Sequence, residues 1–324
     1  MTQMWLRTWA TGVAAVLIVV GTGVGTAGCG SSGTDGGLVF PRLDSPDRTL
    51  VRDRKGATLA VLTDGARTVV FSGPGRTLAE PSTTTASVFT LAVVRLAPQP
   101  WHAGDERAAW FRRWFDRARA STDPDIIDVA LQYAPHAAEQ RDGNHTRFAG
   151  QAVFGPIEAG SRLESSDFND YLGIEWTFPD GTRRAAKPSH YGALDCSGLV
   201  RMVFGYRSGY PLEFAPPTGT ALPRRAIMMA ERSPGVSLIP DTGHQITDFE
   251  LLQAGDLLFF DADAGDGPAI DHVGIYLGID SNGKHRFISS RKTANGPTLG
   301  DLGGASILDG SGLYATGFRA ARRL

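Results

Sequence analysis

Apolar positions change their spacing several times along this chain of 324 residues, and each change predicts an element. Residues 13–20 are continuously apolar, follow a single charge at Arg7 and give way to small residues up to Gly28. That layout is an export signal whose apolar core is too short for a convincing membrane span. Between Leu38 and Leu96, β-prone runs at 58–62, 68–71 and 87–96 are separated by turn material such as Asp64-Gly65 and Gly73-Pro74-Gly75, which predicts a small β-rich region. The spacing then becomes helical. Ala108, Phe111, Phe115 and Ala118 form one stripe of a helix over 105–120, and the Trp110–Trp114 pair, one turn apart, reads as core or interface rather than as a sugar-stacking platform. Asp123, Pro124 and Asp125 signal the cap, first position and first turn of the next helix.

Farther on, Leu199, Val200 and Val203 predict a helix over 196–204 capped by Asp195, with Gly198 leaving room beside the sulfur of Cys196. A thiol attacks well only as thiolate, and a free cysteine has a pKa of about 8.5. A helix N-terminus and a neighbouring imidazole both lower it, and this chain offers both. After the apolar run 257–260, Val273, Ile275 and Leu277 alternate with smaller or polar residues as a half-buried strand does, and His272 stands at its start. Alone, either residue reads as structural; together they read as a cysteine nucleophile and its base.

Three runs carry a resemblance: Asp195-Cys196-Ser197-Gly198, Gly255-Asp256-Leu257-Leu258-Phe259-Phe260, and His272-Val273-Gly274-Ile275-Tyr276-Leu277-Gly278. In this combination and order the chain resembles the NlpC-type cell-wall peptidases over about its last two hundred residues. Leu222-Pro223-Arg224 looks like that family's Pro-Arg stretch, and residues 129–133 look like its opening helix. The resemblance implies an α+β fold: a papain-like catalytic domain, with the nucleophile helix packed on a small antiparallel sheet, preceded here by a small β-rich N-terminal region. It implies hydrolysis of peptidoglycan stem peptides, at the bond between D-glutamate and the diamino acid, by Cys196 and His272. The family's orienting residue follows the next strand, which maps it onto Ser289, while His285 falls four residues too early. Arg224 or Arg225 would fork onto a substrate carboxylate, with Ser197 beside it. The family's usual Tyr is missing from 152–156, so Tyr171 or, nearer the cysteine, Tyr191 is left to supply a hydroxyl from an inserted loop at 157–190.

Composition narrows the partners. Thirty-two Lys and Arg against 34 Asp and Glu give a formal −2, and removing Arg7 with the signal gives −3, so no basic surface argues for nucleic acid. Of the two cysteines, Cys29 follows small residues as in a lipobox, and its acylation would tether the protein to the outer face of the membrane. That leaves Cys196 as a free thiol in an exported protein, better explained by catalysis than by packing. The seven histidines are scattered without metal spacing, and neither a metal nor a cofactor is expected. The organisation expected is a signal over 1–28, a Gly/Ser-rich tether over 29–37, a β-rich domain over 38–104 and a helical lead-in with the peptidase domain over 105–324. The alternatives are a thiol amidase or acyltransferase on the same fold, or a catalytically silent wall-binding lipoprotein.

Overall fold

Five antiparallel strands follow from the β-prone runs of the first hundred residues: β1 (Arg42–Leu43), β2 (Arg48–Arg52), β3 (Thr58–Thr63), β4 (Thr68–Ala79) and β5 (Ser87–Leu96), paired in sequence order. The structure, a computed structural model, describes residues 37–214, 217–263, 265 and 267–324; the export signal and Cys29 lie outside the described residues. Gly73-Pro74-Gly75, expected to be a turn, lies inside β4. The register shifts between Ser72 and Arg76 there, a bulge in which proline need not donate to the ladder.

Helix α1 (Ala109–Ala120) lays Phe111 and Phe115 on this sheet against Leu62, Val69 and Phe71. Trp110 and Trp114 pack against the same cluster, as their spacing predicts. The next helix, α2 (Ile126–Leu131), is capped two residues later than expected. Asp125 accepts from Asp128 N, and the Asp128 carboxylate reaches back to Asp125 N in a capping box that outcompetes Asp123.

The second half of the chain builds helices α3 (Phe168–Leu172), α4 (Cys196–Val200), α5 (Ala226–Arg232) and α6 (Leu313–Gly317) around a second sheet. Its strands are β6 (Val236–Ile239), β7 (Leu257–Phe260), β8 (His272–Ile279), β9 (His285–Arg291), β10 (Gly296–Thr298) and β11 (Phe318–Arg323), in the order β6-β11-β7-β8-β9-β10 with every pair antiparallel. The fold is therefore α+β with antiparallel sheets and a β-rich N-terminal region.

β8 was expected to be half-buried, yet its first six residues are buried. Val273, Ile275 and Leu277 face the core that holds α4, while Tyr276 joins Phe260, Phe287 and Tyr314 in a second cluster on the opposite face. The period-2 pattern assigns the faces correctly, and covering both of them removes the solvent side. A fully buried ion pair joins the two sheets. Arg323 of β11 donates to both oxygens of Asp256 at 2.8 Å and to Thr63 Oγ1 of β3 at 2.7 Å. All described residues belong to one compact unit, and none of its helices is long and apolar enough to cross a membrane.

Candidate active site

Asp195 stands in extended backbone at the start of α4 and accepts a hydrogen bond from Gly198 N at 2.7 Å, so the helix begins at Cys196. Leu199, Val200, Met202 and Val203 are buried and seat it in the main core. The α-helical turns end at Val200 and continue as a π-helical stretch, Arg201–Tyr206. Gly198 does not serve to leave room beside the sulfur. A Cβ there would stand 2.2 Å from the carbonyl oxygen of Ser166, which also accepts from Asp195 N at 3.0 Å, so glycine is required by the inserted segment pressed against the helix.

The Cys196 thiol reaches the carbonyl oxygen of Asp271 at 3.9 Å, and the N–H of Val273 donates to the sulfur. The sulfur is thus held against the backbone on both sides of His272. Burial, reinforced by Asp195, pushes the thiol up to about 12, although the Val273 N–H and Arg224 oppose this. Burial, with the Arg291 guanidinium adding to it, pushes the His272 imidazole down to about 3. Each charge alone is penalised by desolvation. A proton passing from one group to the other creates both charges together, and their attraction offsets part of that cost.

Both side chains line a cleft of about 790 Å³. Phe154, in the segment matched to the family's tyrosine turn, lines it too. One wall comes from the insertion, through Glu164, Asp167, Asp170, Arg183, Arg184 and Lys187. Behind that wall lies a buried charge network. Arg201, fully buried, donates to both oxygens of Asp167 at 3.0 and 3.1 Å and to the carbonyls of Glu213 and Leu222 at 2.7 Å.

Arg224 is committed to the same network, and this corrects the expectation that it awaits a substrate carboxylate. It donates to Asp195 Oδ2 and to Ser197 Oγ at 2.5 Å and pairs with Asp167 at 3.5 Å. Burial opposes its charge, but Asp195 and Asp167 raise it above the ordinary arginine value. Ser197 is buried on the cleft floor, its hydroxyl shared between Arg224 and Asp195. Among the described residues, Arg183, Arg184 and Arg225 are the exposed arginines that line the cleft.

Two further expectations are corrected. Tyr191 lies outside the cleft, 45% exposed, and hydrogen-bonds Arg141; Tyr171 is buried and donates to the carbonyl of Gly150 at 2.7 Å. The insertion carries both tyrosines away from the cysteine. Ser289, expected just past the strand, lies inside β9 and is fully buried, but its hydroxyl accepts from Arg291 Nε at 3.0 Å, while His272 Nε2 is buried without a hydrogen-bond partner among the described residues. The bond expected between them is not formed, because a guanidinium two residues on claims the hydroxyl. Ser290 donates to Leu194 O at 2.5 Å, tying β9 to the residue before the cap.

The sequence reading missed Asp167, Arg201, Arg291 and Tyr314. Asp167 and Asp170 are spaced as a capping pair and could have revealed α3. Nothing in the spacing announces the other three.

A family profile described as the NlpC/P60 family matches residues 181–301. No curated protein matches the chain. Among solved structures, a lipoprotein-like NLP/P60 family protein from Staphylococcus aureus is 19% identical, with 65% of this chain and 47% of that chain covered and a TM-score of 0.28. This chain thus spans about half the length of the staphylococcal one. NlpC2 from Trichomonas vaginalis is 14% identical, with 85% and 81% covered and a TM-score of 0.30. An NlpC/P60 family protein from Bacillus cereus is 15% identical, with 88% and 78% covered and a TM-score of 0.28. The segment 181–301 that matches the NlpC/P60 family profile holds both the cysteine helix and the histidine strand.

Proposed function

We propose that this protein hydrolyses an amide bond of peptidoglycan stem peptides, between D-glutamate and the diamino acid, on a papain-like arrangement of Cys196 and His272. One observation carries the reading: Cys196 Sγ, at the start of a capped helix, rests against the backbone on both sides of His272 in an open cleft. His272 takes the thiol proton as sulfur attacks the carbonyl carbon. A tetrahedral oxyanion forms, held by backbone N–H groups at the start of α4. The C–N bond then breaks, the proton passes to the departing amine, and a thioester remains on Cys196. Water, deprotonated by His272, releases the acid and restores the thiol.

Resting thiol and imidazole are both neutral near pH 7, so the thiolate arises only during attack. Such a site discriminates against adventitious electrophiles in bulk solvent. Export by the signal and acylation of Cys29 would place the enzyme at the outer face of the membrane, within reach of the wall.

The test is digestion of purified muropeptides by the chain, read by mass spectrometry. The expected product pair is a fragment ending in D-glutamate and a fragment with a new free amine on the diamino acid. Intact muropeptides after prolonged incubation, or cleavage at another bond, would refute the assignment.

A further inference from the structure

Among the described residues His272 Nε2 has no hydrogen-bond partner, and what surrounds the ring is specific. Its ring lies 5.2 Å from Tyr314 and 6.0 Å from Phe260, centroid to centroid. Arg291 meets the same Tyr314 ring, its guanidinium 4.3 Å from the Tyr314 centroid and 5.3 Å from that of Phe287. Arg291 is 2% exposed. Its donors go to Ser289 Oγ at 3.0 Å, to the carbonyl of Gly304 and to Ser306 Oγ. All three acceptors are neutral. Among the described residues no carboxylate forms an ion pair with it, although buried charges ordinarily find one. The register that sets Ile275 opposite Ile288, carried to the end of β8, sets Arg291 opposite His272.

We infer that Arg291 is a positioning residue: its guanidinium clamps Tyr314 against His272 and holds the imidazole neutral, so that the base works into acid where an ordinary histidine is already protonated. The inference rests on the proposed role of His272 as base. A neutral acceptor such as the missing orienter would stabilise the imidazolium; a buried cation opposes it. The charged and titratable groups around His272 are few. From α4 there is Cys196; from the segment before β8, Asp271, whose oxygens accept from Ala262 N and Asp263 N; from β9 and its continuation, Arg291 and Lys292; from α6, Tyr314. At the end of β7, Asp261 is paired with Arg319 at 2.9 Å. Of these, Arg291 acts electrostatically on the imidazole, adding to the larger effect of burial. The Tyr314 ring, in contact with both, transmits position as well as charge, since a cation over a π face fixes that ring.

The experiment follows the His272 imidazole by NMR in protein carrying labelled histidine, between pH 3 and 8, alongside the pH profile of muropeptide cleavage. In the native chain the His272 signal should remain that of neutral imidazole down to about pH 4, because burial, with Arg291 adding to it, pushes the group down to about 3. In Arg291→Gln the midpoint should rise by roughly one pH unit, and the acid limb of kcat/KM should rise with it. The sign is fixed: a base must be neutral, so a higher pKa costs activity at higher pH.

Arg291→Met fills similar volume without a charge to bury and serves should the glutamine variant fail to fold. Native His272 titrating near 6.5, or a midpoint unmoved in whichever variant folds, overturns the inference. The NMR readout needs no turnover. A chain that cleaves nothing yet shows the expected titration keeps the Arg291 inference and loses the proposed function.

Discussion

Cys196→Ala is expected to lower the rate of muropeptide cleavage by a factor on the order of 10⁴ or more while leaving the thermal midpoint nearly unchanged. The neighbouring Ser197 hydroxyl is already held between Arg224 and Asp195, so it does not substitute for the thiol. The fold does not depend on it. Cys196 is partly exposed, and α4 is held by the Asp195 cap and by four buried apolar side chains. His272→Ala should fall to a similar level, because nucleophile and base act as one unit and their effects do not add. Serine at position 196 should not restore activity: a hydroxyl ionises far less readily than a thiol, and an imidazole kept weakly basic by burial cannot compensate. Steady-state cleavage of purified muropeptides checks all three variants. Near-normal turnover in Cys196→Ala would remove the nucleophile from the account.

The second large effect is on stability. Asp167→Ala should destabilise the protein by about 3–5 kcal/mol and lower its melting temperature on the order of ten degrees. Arg201 has no side-chain exposure, and among the described residues Asp167 is its only carboxylate partner; its other acceptors are backbone carbonyls. Removing Asp167 leaves a buried guanidinium without a counter-charge and strips α3 of its N-cap. The double variant Asp167→Ala, Arg201→Met should recover most of the loss, since the uncompensated cation rather than the missing contact dominates the cost. A melting temperature unchanged in Asp167→Ala would show that Arg201 is compensated elsewhere. Activity should fall as well, because Asp167 also pairs with Arg224, which braces Asp195 and Ser197 beside the nucleophile.

How much of this was legible in the sequence depends on the range of the interaction. The Asp195 cap, the helix at Cys196, the faces of β8 and three of the five strands of the first sheet follow from local spacing, and the structure reproduces them. The burial of both faces of β8 was not legible, because Tyr314, which covers one of them, is nearly forty residues away. The same distance hid the surroundings of His272. Counting along the strand leads to Ser289, but the fate of its hydroxyl is decided by Arg291, whose length and charge let it gather Ser289, Gly304 and Ser306 around one guanidinium. Arg224 was misjudged for a related reason. A Pro-Arg stretch shows a cation near the cleft, but only the fold shows that Asp167, from the insertion, and Asp195 already hold it. Gly198 was assigned to the wrong neighbour because Ser166, which presses on it, belongs to the inserted segment.

The central claim is that Cys196 is the nucleophile that attacks a stem peptide bound in the cleft, and intact-protein mass spectrometry tests it most directly. The native chain is incubated with a stem peptide carrying a chloromethyl ketone in place of the scissile amide, and the adduct is located by proteolysis. The account predicts one equivalent on Cys196, formed far faster than iodoacetamide modifies the same thiol, because the peptide must bring its carbonyl into the cleft before His272 draws off the proton. Labelling should slow sharply in His272→Ala. An adduct that forms elsewhere, or that forms on Cys196 no faster with the peptide than with the simple reagent, would contradict it.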